Sequence, residues 1–158
     1  MPIPYYKAAA LATRCMQTLV ISTVLASMSA NSATAKNSDT PIHFTEGAIS
    51  SVVTGKLNHN DNERWYRFDA TNGQYAVINI TPFAGTSETA NVGVLHMPNG
   101  MQDGSKGGIV YQSCLPATGT YRLRIARNLM ATEGKIASYN VELMILPTYA
   151  SQPLCKRF

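Results

Sequence analysis

Residues 115–127 read Leu-Pro-Ala-Thr-Gly-Thr-Tyr-Arg-Leu-Arg-Ile-Ala-Arg, and from Tyr121 onward apolar and polar positions alternate. Tyr121, Leu123 and Ile125 fall on one face, Arg122 and Arg124 on the other. A period of two marks a strand with one face in a core and one in water. Pro116 and Gly119 supply the turn from which it starts. The alternation returns at 63–69, where Trp65, Arg67 and Asp69 oppose Tyr66 and Phe68. Ala76, Ile78 and Ile80 share a face in 74–80, as do Tyr139, Val141, Leu143 and Ile145 in 139–145. Shorter strands are predicted over 41–44, 49–57, 91–97 and 109–114. The stretches 82–91, 101–107 and 127–138 are predicted loops. Asn72-Gly73 is predicted to close a hairpin, because both residues tolerate positive φ. Beyond the first 35 residues no window carries sustained helical periodicity. About eight short strands with turn residues between them predict an all-β fold, an antiparallel, jelly-roll-like β-sandwich.

The first 35 residues differ from the rest. Lys7 and Arg14 are their only charges, 19–26 is a short apolar run, and Ala33-Thr34-Ala35 puts small residues where a signal peptidase reads. That order predicts a secretory signal peptide cleaved near Ala35. The run is too short for a membrane span, which takes about 20 apolar residues. Cleavage leaves residues 36–158, 123 of the 158, as one domain. It also lowers the basic count from 13 to 11 against 9 acidic residues, and the formal charge from +4 to +2. No basic run is present, so the charge pattern does not suit a nucleic acid, and no membrane contact is expected after cleavage. Two of the three cysteines, Cys114 and Cys155, remain in the mature part. An even number in an oxidising compartment makes them a candidate disulfide, stapling the aperiodic tail to the strand that ends at Cys114. Two unpaired thiols are the alternative.

Motifs for catalysis are missing: no His-Glu-x-x-His, no Cys-x-x-Cys, no Gly-Lys-Ser/Thr phosphate loop. Ser105, in Asp-Gly-Ser-Lys-Gly, lacks the upstream glycine of a nucleophile elbow. His43, His59 and His96 lie in separate predicted elements, and no carboxylate pair stands out. No enzyme activity, cofactor or metal is expected. Asn58-His-Asn-Asp-Asn-Glu63 does offer five oxygen-bearing side chains, a set that hard cations favour. Glu63, however, stands where an EF-hand has glycine, and turn geometry built from Asn and Asp is the preferred reading.

Arg122 and Arg124, with Arg64 and Arg67, are read as the solvated side of strands. Arg127 differs, because it follows a strand and opens a loop. A guanidinium held there is pre-positioned, and its planar fork pairs with carboxylates. Beside it, Leu129 and Met130 either form the apolar centre of an interface or fold back onto the sandwich. The pattern leaves both open.

Thr54-Gly-Lys-Leu57, Trp65-Tyr-Arg-Phe68, Asn72-Gly-Gln-Tyr75, the 115–124 segment, Arg127-Asn128 and Tyr139-Asn-Val141 together resemble one family. In order and spacing they are similar to the periplasmic proteinaceous inhibitors of goose-type (g-type) lysozyme, from about residue 49 to residue 146. The strand core is shared with the β-sandwich modules found C-terminal to secreted peptidases. The more specific element is Arg127-Asn128 at the head of the last long loop. The resemblance implies a periplasmic protein whose partner is a g-type lysozyme and whose loops enter that enzyme's sugar-binding cleft, protecting the cell wall. The contact residues it implies are Arg127 and Asn128, with His59, Asn60 and Asp61 of the turn. A lysozyme carries a catalytic carboxylic acid, and the resemblance implies that Arg127 is delivered to it. It implies no cofactor and leaves the oligomeric state open. The alternative is a non-catalytic secreted module for glycans or an envelope partner, with Trp65 and Tyr75 as its candidate aromatics.

Overall fold

The computed structural model describes residues 39–156. The predicted signal peptide, residues 1–35, lies outside them. Within them the strands are β1 (Thr40–Pro41), β2 (Ser50–Leu57), β3 (Glu63–Ala70), β4 (Tyr75–Pro82), β5 (Asn91–His96), β6 (Gln102–Lys106), β7 (Gly108–Cys114), β8 (Gly119–Arg127) and β9 (Ala137–Ile145). One sheet runs β1-β3-β8-β5-β6 and the other β2-β9-β4-β7. The two face each other as a sandwich, as the alternation predicts. Every pairing is antiparallel except that of the two-residue β1, which lies parallel to β3. No helix among the described residues is long and apolar enough to cross a membrane.

β8 is the middle strand of its sheet, paired with β3 on one side and β5 on the other. Its inward Tyr121, Leu123 and Ile125 are fully buried. The Tyr121 hydroxyl donates to the Ala117 carbonyl at 2.7 Å, fixing the turn at the foot of the strand in the manner of a tyrosine corner. Its ring stacks on Phe68, with centroids 5.4 Å apart. From the second sheet Ile78, Ile80, Val141 and Leu143 close the interior. Each such side chain contributes about 1.5–3 kcal/mol by leaving water, so the period-two positions carry the fold.

Four local expectations are corrected. Residues 101–107, read as a loop, contain β6, an edge strand that pairs with β5 through backbone alone while its side chains stay largely in water. Asn72-Gly73 makes a turn, with Gly73 at φ 79°, but not a hairpin. β3 and β4 on either side of it belong to opposite sheets. The 127–138 loop contains a single helical turn, α1 (Leu129–Thr132). The tail, read only as aperiodic, forms a helix, α2 (Thr148–Cys155), that packs against the β4 and β7 end of the second sheet.

Candidate protein-contact site

The register brings three segments to one end of the sandwich. β2 ends there at Leu57, β3 starts at Glu63, β8 ends at Arg127 and β9 starts at Ala137. The Arg127 amide donates to Asn62 O at 2.8 Å, so the 127–136 loop lies beside the 58–62 turn. The Asn128 amide donates to Ala90 O at 2.8 Å and its side chain to Thr89 O at 2.9 Å, tying in the 83–90 segment. Arg127, Asn128, His59, Asn60 and Asp61 therefore share one end of the molecule.

The turn spends its oxygens on itself. Asn58 and Asp61 exchange backbone hydrogen bonds of 3.1 and 3.2 Å, and Asn58 Oδ1 accepts the Asn60 amide at 2.9 Å. The Asp61 carboxylate is paired with Arg64. Among the described residues no cluster of His, Cys, Asp and Glu is placed to hold a metal ion. His59 and Asn60 are left exposed at the tip.

Arg127 stands at the strand end but does not reach freely into solvent. It is half-buried, and its NH1 donates to Gly134 O at 3.3 Å and Lys135 O at 3.2 Å, within its own loop. Its Nε is buried without a hydrogen-bond partner, and among the described residues no ion pair involves it. Beside it Leu129 is 58% and Met130 91% exposed, so these two side chains turn outward instead of folding back. Ile136 and Phe83, also exposed, join them at the same end. Sequence reading missed this pair, because a lone apolar residue in a polar loop carries no periodic signal. An open cleft of about 590 Å³ runs beside the turn, lined by Lys56, Asn58, Asp61, Arg64, Phe83 and Ser138.

The four strand arginines do not make one basic surface. Arg122 is paired with Asp39, Arg124 with Glu63 and Arg64 with Asp61. Trp65 lies under two of them, with the Arg122 guanidinium 4.4 Å and that of Arg124 6.0 Å from its ring centroid. Its indole N–H donates to Glu63 at 3.0 Å. His96 packs on the same ring, and burial together with the two arginines holds its pKa below the ordinary histidine value. Tyr75 is half-buried under α2, its amide donating to Ser151 Oγ at 2.8 Å. Neither proposed glycan aromatic is a free stacking surface.

The opposite end of the sandwich carries the Cys114–Cys155 disulfide, which forms as expected, with Cα atoms 5.7 Å apart. It anchors α2, and a shallow cleft of about 440 Å³ opens there between Phe44, Ile49 and Tyr149.

The fold is shared with solved lysozyme inhibitors. The chain superimposes on Aeromonas hydrophila PliG, a periplasmic inhibitor of g-type lysozyme, with a TM-score of 0.55 and 19% identity, covering 68% of this chain and 96% of that one. Salmonella Typhimurium PliG gives a TM-score of 0.53 and 23% identity, over 68% and 97% of the two chains. A mutant of the Escherichia coli inhibitor gives 0.52 and 24%, with the same coverage. No protein-family model and no curated protein sequence matches the chain.

Proposed function

We propose that this protein is an exported, periplasmic inhibitor of a g-type lysozyme that places the Arg127 loop and the 58–62 turn in the enzyme's substrate cleft. The single observation that carries the reading is the convergence at one end of a rigidly bonded loop, an arginine without a counter-ion among the described residues, and outward apolar side chains. The sandwich shared with three PliG structures supports it. A lysozyme cleft holds a catalytic carboxylic acid. The positive charge of Arg127, which has no ion-pair partner among the described residues, complements that acid, while Asn128, His59, Asn60 and Asp61 line the approach. Export through the 1–35 signal peptide, with residues 36–158 as the mature domain, belongs to the same proposal. The protein acts by occlusion and performs no catalysis of its own.

The test is a lysis assay on cell-wall substrate, titrating purified protein against g-type and chicken-type lysozymes. Loss of g-type activity near one equivalent, with chicken-type activity spared, is the expected result. No effect on either enzyme moves the reading to a binding module. One observation favours that second reading, the concave surface of Phe44, Ile49 and Tyr149 at the disulfide end. Its aromatics differ from Trp65 and Tyr75.

A further inference from the structure

The helical turn α1 is built inside out. Thr132 is buried, 5% exposed, whereas Leu129 and Met130 face solvent. One turn of helix is not stable alone, and here the surrounding bonds impose it. Asn128 Oδ1 lies 3.4 Å from the Ala131 amide as its cap. The Thr132 hydroxyl donates to Asn128 O at 2.9 Å, and the Lys135 amide to Thr132 O at 2.7 Å. Glu133 takes a left-handed conformation (φ 47°, ψ 37°), a strained choice for a residue with a side chain. Arg127 closes the ring by holding Gly134 O and Lys135 O with one guanidinium nitrogen. A loop this heavily bonded is not exposing apolar residues for want of an alternative. Its bonds bury a threonine and present a methionine and a leucine, and such pre-organisation lowers the ordering cost of binding.

We propose that Met130, with Leu129, makes the contact that reads the partner, and that Arg127 is a positioning residue which holds this knob outward. The inference rests on the lysozyme reading and says what the loop offers such a cleft. NH1 of Arg127 is committed to two carbonyls, so swinging the guanidinium into a partner would release the loop that carries the knob. A substrate cleft is lined largely by apolar and aromatic side chains, with few polar groups among them. The terminal methyl of Met130, on a flexible thioether arm, fits a cleft of that kind.

The experiment measures inhibition of a g-type lysozyme and the thermal midpoint for wild type, Met130→Leu, Met130→Asp, Arg127→Lys and Arg127→Ala. Amide hydrogen exchange is followed at Thr132 and Lys135. Met130→Asp is expected to weaken inhibition by about tenfold or more, with the midpoint unchanged, and Met130→Leu to stay close to wild type. Arg127→Ala is expected to weaken inhibition together with loss of exchange protection at both amides. Arg127→Lys, which keeps a donor for the carbonyls, is expected to restore both. Wild-type inhibition by Met130→Asp overturns the inference. So does Arg127→Ala that loses inhibition with loop protection intact, since the arginine would then be the contact. Failure of wild type itself to inhibit sinks the lysozyme reading, and is seen before any variant is compared.

Discussion

The hydroxyls of Tyr66 and Tyr139 lie 2.9 Å apart, a buried hydrogen bond that joins β3 of one sheet to β9 of the other through the interior. Burial, and then the bond to Tyr66, pushes the Tyr139 phenol far above its ordinary value of 10.0. Replacing Tyr66 by Phe leaves a buried hydroxyl without this partner, at a cost of about 1–3 kcal/mol. The double variant with Tyr139→Phe removes both polar groups and is expected to cost less than the two single changes summed. Urea unfolding of the four proteins checks this. The pH dependence has a definite sign. Above pH 10 the unfolded chain releases the Tyr139 proton while the folded chain keeps it. Stability contributed by Tyr139 is therefore full below pH 10 and declines above it.

Gly55 packs its backbone against the ring that makes this bond. A Cβ at position 55 would sit inside the van der Waals surface of the Tyr139 ring and hydroxyl. Gly55→Ala is expected to displace Tyr139 and cost about 1–3 kcal/mol, the range of overpacked cores. A denaturation midpoint equal to wild type would show that the ring moves aside at no cost.

The sandwich was legible because its strands bury one face, so Tyr121, Leu123 and Ile125 announce themselves by period two. β6 was not, since Gln102-Asp-Gly-Ser-Lys106 has no apolar face and pairs through its backbone. α2 buries only Ser151 and carries Pro153 inside it, so it lacks an apolar stripe. Asn72-Gly73 signals a turn but not which sheet receives the next strand, a choice made by packing across the whole sandwich. At the candidate site, the strand-end place of Arg127 was readable. Its hydrogen bonds to the carbonyls of Gly134 and Lys135 were not, because backbone acceptors leave no mark on a side-chain pattern. For the same reason sequence left open whether Leu129 and Met130 turn in or out.

Asp39 links the start of β1 to β8 across β3. The Arg122 guanidinium donates to both of its carboxylate oxygens and holds the carboxyl below its ordinary value of 3.8. A depressed carboxyl stabilises the fold above its unfolded pKa, and that contribution disappears as pH falls through the lower folded value. Arg122 is half-exposed, so the pair is screened and contributes at most about 1 kcal/mol. Asp39→Asn is expected to lower the urea midpoint slightly at pH 7 and to match wild type near pH 2. A gap of equal size at both pH values would assign the effect to packing of β1 instead of charge.

The disulfide and the Arg127 loop occupy opposite ends of the sandwich, so, on the proposed lysozyme reading, stability and inhibition are expected to respond separately to reduction. Cys114 and Cys155 are 41 residues apart in sequence, and closing such a loop is worth about 4 kcal/mol in the chain-entropy model. The bridge also seats α2, where the buried Ser151 hydroxyl accepts the Tyr75 amide at 2.8 Å and lies 3.1 Å from Leu146 O. Replacing both cysteines by serine is expected to lower the thermal midpoint by well over ten degrees, since each kcal/mol shifts a domain of this size by about 3–6 °C. At temperatures where the reduced form remains folded, its inhibition of lysozyme should equal that of the oxidised protein. Among the described residues, none of the bonds that hold the Arg127 loop involves α2 or β7. Equal melting curves would show that the tail is held by packing alone. Lost inhibition in a still-folded reduced protein would move the contact surface to the disulfide end, beside Tyr149.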